Sequence, residues 1–107
     1  MAKKEETKLA EKWDADLENT FGKALELENI QQVTKVGTPD RLGCLLGLFI
    51  ALEYKTEEGK PSKIQLLKLA RYKRAGAYTA IVTPTTYPFV KMELMSIYEK
   101  KLLQLSK

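Results

Sequence analysis

Apolar residues recur at spacings of three and four from about Thr7 to Glu28. Leu9, Trp13, Leu17, Phe21, Ala24 and Leu25 make one stripe, and charged residues fill the other face. That periodicity predicts an amphipathic helix ended by Asn29. Ile30 to Lys35 reads as a short strand, and Gly37-Thr38-Pro39-Asp40 then punctuates the chain. Arg41 to Leu46 and Leu48 to Lys55 read as two strands of a hairpin closing near Gly47. Alternation along the second strand puts Leu48, Ile50, Leu52 and Tyr54 on the expected core face and Glu53 and Lys55 on the other. Glu57 to Pro61 is a polar loop. Ser62 opens a second helix, because Ser62 and Gln65 have the capping-box form. Ile64, Leu67, Leu69 and Ala70 are its expected buried residues, and Gly76 stops it. Tyr78 to Val82 is a strand, residues 83–88 form a loop, and Val90 to Leu105 is a third amphipathic helix.

The predicted order is helix, three strands, helix, strand, helix. This is an α/β class arrangement, a small mixed sheet flanked by helices. At 107 residues it is read as one domain, residues 1–107, with the charged positions 1–6 flexible. A core this small leaves a thin stability margin, which a homodimer would widen.

Charge and composition then narrow the chemistry. The net charge of +4 and pI near 9.1 suit a polyanionic partner. The chain has no histidine, which removes Ser-His-Asp triads, Cys-His pairs and histidine-built zinc sites. Cys44 is the only cysteine, so no internal disulfide forms, which fits a reducing, cytoplasmic setting. We expect Cys44 to be a small core residue and Trp13 to lie in the core or a dimer interface. The charged N-terminus does not read as a signal peptide, and the nearly apolar run Leu42–Leu52 is too short to cross a bilayer.

The hairpin carries the sharpest chemical expectation. If Leu46 and Gly47 are the turn residues, Leu45 pairs with Leu48 and Asp40 falls opposite Glu53. Directly opposed residues have Cβ atoms roughly 4.5–5.5 Å apart, and two carboxylates that close repel unless a cation lies between them. Asp40, Glu53 and the main-chain carbonyl of Tyr54 could hold a hard divalent cation such as Mg²⁺. Lys55, on the same face, could orient a water activated there and stabilise charge on a phosphate.

Gly37-Thr38-Pro39-Asp40, twelve residues, then Glu53-Tyr54-Lys55 resembles the PD-(D/E)XK nuclease signature. The element order resembles that superfamily's αβββαβ, restriction-endonuclease-like core, followed here by a C-terminal helix. Gly59-Lys60-Pro61-Ser62-Lys63-Ile64-Gln65 resembles the VRR-NUC branch, in which a glutamine opens the following helix. Asp16-Leu17-Glu18 looks like the helix-borne acid of that branch and of phage and archaeal Holliday-junction resolvases. The resemblance covers roughly residues 16–83. It implies Mg²⁺- or Mn²⁺-dependent DNA hydrolysis, with metal held by Asp40 and Glu53 and Lys55 aiding the nucleophile. It also implies that Glu18 helps hold metal or water and that Gln65 is an accessory residue. Glu11 and Asp14 compete for the helix position, and Glu18 is preferred for its spacing to Phe21 and Leu25. Arg41 departs from the pattern, because an apolar residue more often follows the aspartate.

Lys60, Lys63, Lys68, Arg71, Lys73 and Arg74 crowd the second helix and could track a phosphate backbone. Three functions are therefore weighed. The first is a structure-specific endonuclease of the Holliday-junction or branched-DNA type, acting as a homodimer. The second is a general nicking nuclease or a catalytic subunit targeted by a partner. The third is a non-catalytic DNA-binding module of the same fold.

Overall fold

The structure is a computed structural model that describes residues 2–30 and 37–106, with side chains from Glu5 onward. Helix α1 spans Ala2–Phe21 and is followed by a short 3-10 turn, Gly22–Ala24. The strands are β1 Leu25–Asn29, β2 Arg41–Leu45, β3 Leu48–Tyr54 and β4 Tyr78–Val82. Helix α2, Lys63–Arg74, links β3 to β4, and α3 spans Tyr87–Leu105. The sheet order is β1-β2-β3-β4, with β3 and β4 parallel and the other neighbours antiparallel.

The helices cover both sheet faces. Trp13, Leu17 and Phe21 of α1 and Val90 and Leu94 of α3 pack on Ile50, Leu52, Tyr54 and Val82. Helix α2 lies on the opposite face, where Gln65 meets Glu53 and Tyr72 meets Phe49. Covering on both sides explains why every residue from Ile50 to Tyr54 is buried, including those that alternation assigns to the non-core face.

The first helix ends sooner than its apolar spacing indicates. Gly22 has φ +56°, which breaks α1 after Phe21. Leu25 and Leu27 then continue an apolar pattern that serves a strand, because Glu26 and Glu28 alternate with them on the exposed face. Of the strand expected at 30–35, Ile30 lies just beyond β1, and residues 31–36 fall outside the described residues. The third helix begins at Tyr87 because Pro88 sits in its first turn, where a missing N–H costs nothing.

Burial along α2 also differs. Only Leu69 is buried, whereas Ile64, Leu67 and Ala70 are exposed, Leu67 by 61%. The helix touches the sheet along the narrow stripe Gln65, Leu69 and Tyr72, so its other apolar residues face outward. Cys44 is exposed rather than in the core, because β2 turns it to the α2 side of the sheet, opposite Phe49. Among the described residues no helix is long and apolar enough to cross a membrane.

The β2–β3 hairpin has the expected register, Leu45 with Leu48 and Arg41 with Leu52. Its two turn residues, Leu46 and Gly47, have φ values of 46° and 90°. Both positive angles are the mark of the tight turns that match strand twist. Gly47 adopts that conformation freely, but Leu46 is strained by its Cβ. Leu46→Asn is expected to raise the unfolding free energy by roughly 0.5–1 kcal/mol. Urea unfolding would show this as a higher midpoint at unchanged slope. A lower midpoint would mean that the packing of Leu46 outweighs its strain.

Candidate active site

Asp40 sits in the bend that precedes β2, and the β2–β3 register extends to place it opposite Glu53. The backbone N–H of Tyr54 donates to Asp40 Oδ2 at 2.9 Å. In an extended residue the carbonyl leaves on the same side as the N–H, so the Tyr54 carbonyl also faces the Asp40 side. The loop before Asp40 is seated by Gly37, which has φ +86° and lies against Ile64 in the first turn of α2. Any side chain at Gly37 would collide with Ile64.

Glu53 is 1% exposed. Its Oε2 accepts from Gln65 Nε2 at 2.6 Å and pairs with Lys55 Nζ at 3.2 Å. Its Oε1 is buried and has no hydrogen-bond partner. Gln65 performs two tasks at once. Its Oε1 accepts from the Ser62 N–H at 2.8 Å and its backbone N–H donates to Ser62 Oγ at 3.1 Å, completing the capping box. The other end of the same amide holds Glu53, so the cap fixes the rotamer that reaches the carboxylate.

The structure gathers Asp40, Glu53, Lys55 and Gln65, but it does not bring Glu18 to them. Glu18 is exposed and makes no hydrogen bond or ion pair with the described residues. The helix acid at the site is Asp14, one turn earlier. Arg41 grips it with Nε at 3.0 Å and Nη2 at 2.8 Å from Oδ2, and Tyr54 Oη donates to its Oδ1 at 2.8 Å. Arg41 also donates to Asn29 Oδ1 at 2.8 Å and lies 4.8 Å from the Tyr54 ring centre. Its substitution for an apolar residue is thus matched by a half-buried acidic partner. An arginine in that place was the one sequence signal for an acid facing it.

A cleft of about 560 Å³ opens between α1 and this cluster, lined among others by Glu6, Glu11, Asp14, Asp40 and Tyr54. Glu11 is the exposed acid one turn before Asp14 on that wall. The basic residues Lys60, Lys63 and Arg71 are exposed and Lys68 is half-buried, and none forms an ion pair among the described residues.

No protein-family model and no curated protein matches the chain. Among solved structures, a protein described as a VRR_NUC domain superposes with a TM-score of 0.54. The match has 25% identity and covers 68% of this chain and 77% of that one. The chain shares the fold of that VRR_NUC domain, a small α/β restriction-endonuclease-like fold.

In this fold the two facing carboxylates, Asp40 and Glu53, are electrostatically frustrated. Burial, and then the charge of Asp40, push the Glu53 carboxyl from its ordinary 4.5 up to about 7, although Lys55 pulls the other way. A divalent cation would engage the unpartnered Oε1 and neutralise the pair, so Asp40, Glu53 and the Tyr54 carbonyl fit a hard, oxygen-seeking ion. Among the described residues no three His, Cys, Asp or Glu side chains converge to hold a metal, so water must complete such a shell.

Between pH 4.5 and about 7 the folded chain retains a proton on Glu53 that the unfolded chain has released. This group's contribution to stability therefore falls as pH rises through that window. Glu53→Gln, which copies the neutral form, should gain little over the wild type at about pH 5 and roughly 1–3 kcal/mol at about pH 8 without divalent cation. Denaturant melts at the two pH values measure this. An equal effect at both would contradict the frustrated-pair description.

Proposed function

We propose that this domain is a Mg²⁺- or Mn²⁺-dependent endonuclease that hydrolyses DNA phosphodiester bonds, acting on branched DNA such as four-way junctions. The observation that carries the reading is Asp40 facing a buried Glu53 whose Oε1 is unpartnered, with Lys55 beside it. Mg²⁺ or Mn²⁺, held by Asp40, Glu53 and the Tyr54 carbonyl, would supply an acidified water and neutralise phosphate charge. Gln65 keeps Glu53 aimed inward. Lys55 moves from its pairing with Glu53 to donate to a phosphate oxygen as negative charge develops there. The Asp14 carboxylate is engaged by Arg41 and Tyr54, so Glu11, exposed on the same cleft wall, takes the place of Glu18 as the helix acid that orients water. Lys60, Lys63, Lys68 and Arg71 hold the DNA backbone.

A homodimer would match the two-fold symmetry of a junction. Helix α3 offers the surface for it, since Phe89, Met92 and Leu103 share one side of the helix and are all more than 60% exposed. These residues leave an apolar face on the helix in addition to the one packed in the core.

The test is cleavage of labelled four-way junction, flap and linear duplex with Mg²⁺, Mn²⁺ or EDTA. Metal-dependent cutting of the branched substrates is expected. Asp40→Ala and Lys55→Ala should each slow it by about 10²-fold or more, and Glu18→Ala should cut like the wild type. Intact substrates under every metal condition would overturn the nuclease reading. Equal cutting of linear duplex would leave a general nicking enzyme.

A further inference from the structure

Helix α2 runs against β3 so that Gln65 lies over Glu53 at one end and Tyr72 lies on Phe49 at the other. The Phe49 and Tyr72 rings are stacked, with centroids 5.6 Å apart and planes 19° from parallel. Phe49 nevertheless remains 42% exposed. Two clefts meet at this stack. One, of about 420 Å³, is lined by Phe49, Tyr72, Leu48 and the backbone around Gly76. The other, of about 380 Å³, is lined by Lys68, Arg71, Tyr72 and Arg74. Tyr72 and Ala75 form the wall between them.

The charge on this face is concentrated. Helix α2 holds five cations and no acid, while the other thirteen cations and all fourteen acids of the chain lie elsewhere. The rest of the protein is therefore net −1. None of the α2 cations is ion-paired among the described residues. A flat aromatic surface next to unpaired cations matches the two halves of a nucleotide, a base to stack and a phosphate to neutralise.

We propose that the Phe49–Tyr72 stack, with Lys68, Arg71 and Arg74, binds an unpaired nucleotide of the DNA substrate. A base inside a duplex has both faces covered by its neighbours, whereas an unpaired one is free to extend the protein's stack. The platform lies two helical turns from Gln65, about 10 Å, and four strand residues from Glu53, about 13 Å. A single strand entering the carboxylate site is within a few nucleotides' reach of it. This inference rests on the DNA-directed reading of the domain and narrows its substrate to DNA with a single-stranded segment beside the scissile bond.

The experiment is fluorescence anisotropy of the full chain in EDTA, so that binding is read without cleavage. Probes are a blunt duplex, the same duplex with an oligo-dT tail, and oligo-dT alone. The wild type should bind the tailed duplex about tenfold or more tightly than the blunt one. Phe49→Leu and Tyr72→Leu keep apolar packing and should lose most of that preference, with blunt-duplex affinity within about twofold of wild type. Phe49→Trp should retain it, which separates stacking from mere packing. Equal wild-type affinity for tailed and blunt DNA, or a Phe49→Leu variant with full tail preference, would overturn the platform. Tail preference without metal-dependent cleavage would support the platform and remove catalysis. Cleavage without tail preference would remove the platform alone.

Discussion

One hydrogen bond joins the two halves of the site, the Tyr54 N–H to Asp40 Oδ2 across the β2–β3 hairpin. It holds because a two-residue turn at Leu46 and Gly47 fixes the register, and a slip of one residue would send Asp40 to the other face. The same register forces Asp40 and Glu53 together, a like-charge arrangement that the fold must support from outside. Support comes from three directions. Gly37 lets the Asp40 loop lie against α2, Gln65 grips Glu53 from that helix, and Lys55 offsets part of the negative charge. The unpartnered Glu53 oxygen is what remains after these contacts.

Beneath the site the fold uses an ion pair where an apolar contact would suffice. Arg41 is 7% exposed, and Asp14, Asn29 and the Tyr54 ring surround it. Such pairs contribute little net stability, since desolvation offsets their attraction, but losing one partner strands a buried charge. Their gain here is geometric. Arg41 follows Asp40 directly, and Tyr54 separates Glu53 from Lys55, so one cluster on α1 fixes the backbone at both halves of the motif. Burial, together with the charge and hydrogen bond of Asp14, holds the Tyr54 phenol well above its usual range, so it stays a donor.

Much of this was legible in the chain because it depended on local spacing. Hairpin register, the Ser62 capping box and strand β4 all follow from short-range patterns. The apolar spacing runs past the end of α1 because Leu25 satisfies both a helical and a strand period, and only the backbone at Gly22 decides between them. Burial on α2 and at Cys44 depended on how wide a strip of sheet the helix covers, which is a tertiary property. Spacing to the apolar stripe favours Glu18 over Asp14. Asp14 reaches the site through Arg41 and Tyr54, residues 27 and 40 positions away, which no periodicity can report.

The central claim is that Asp40, Glu53 and the Tyr54 carbonyl form one divalent-cation site. Titration of ¹⁵N-labelled protein with Mn²⁺ reads its location directly through paramagnetic broadening of amide signals. The account predicts broadening that begins at Asp40, Arg41 and Glu53 to Lys55 and that is lost in Asp40→Asn. Broadening confined to the acidic side of α1 at Glu6 and Glu11, or none at all, would contradict it.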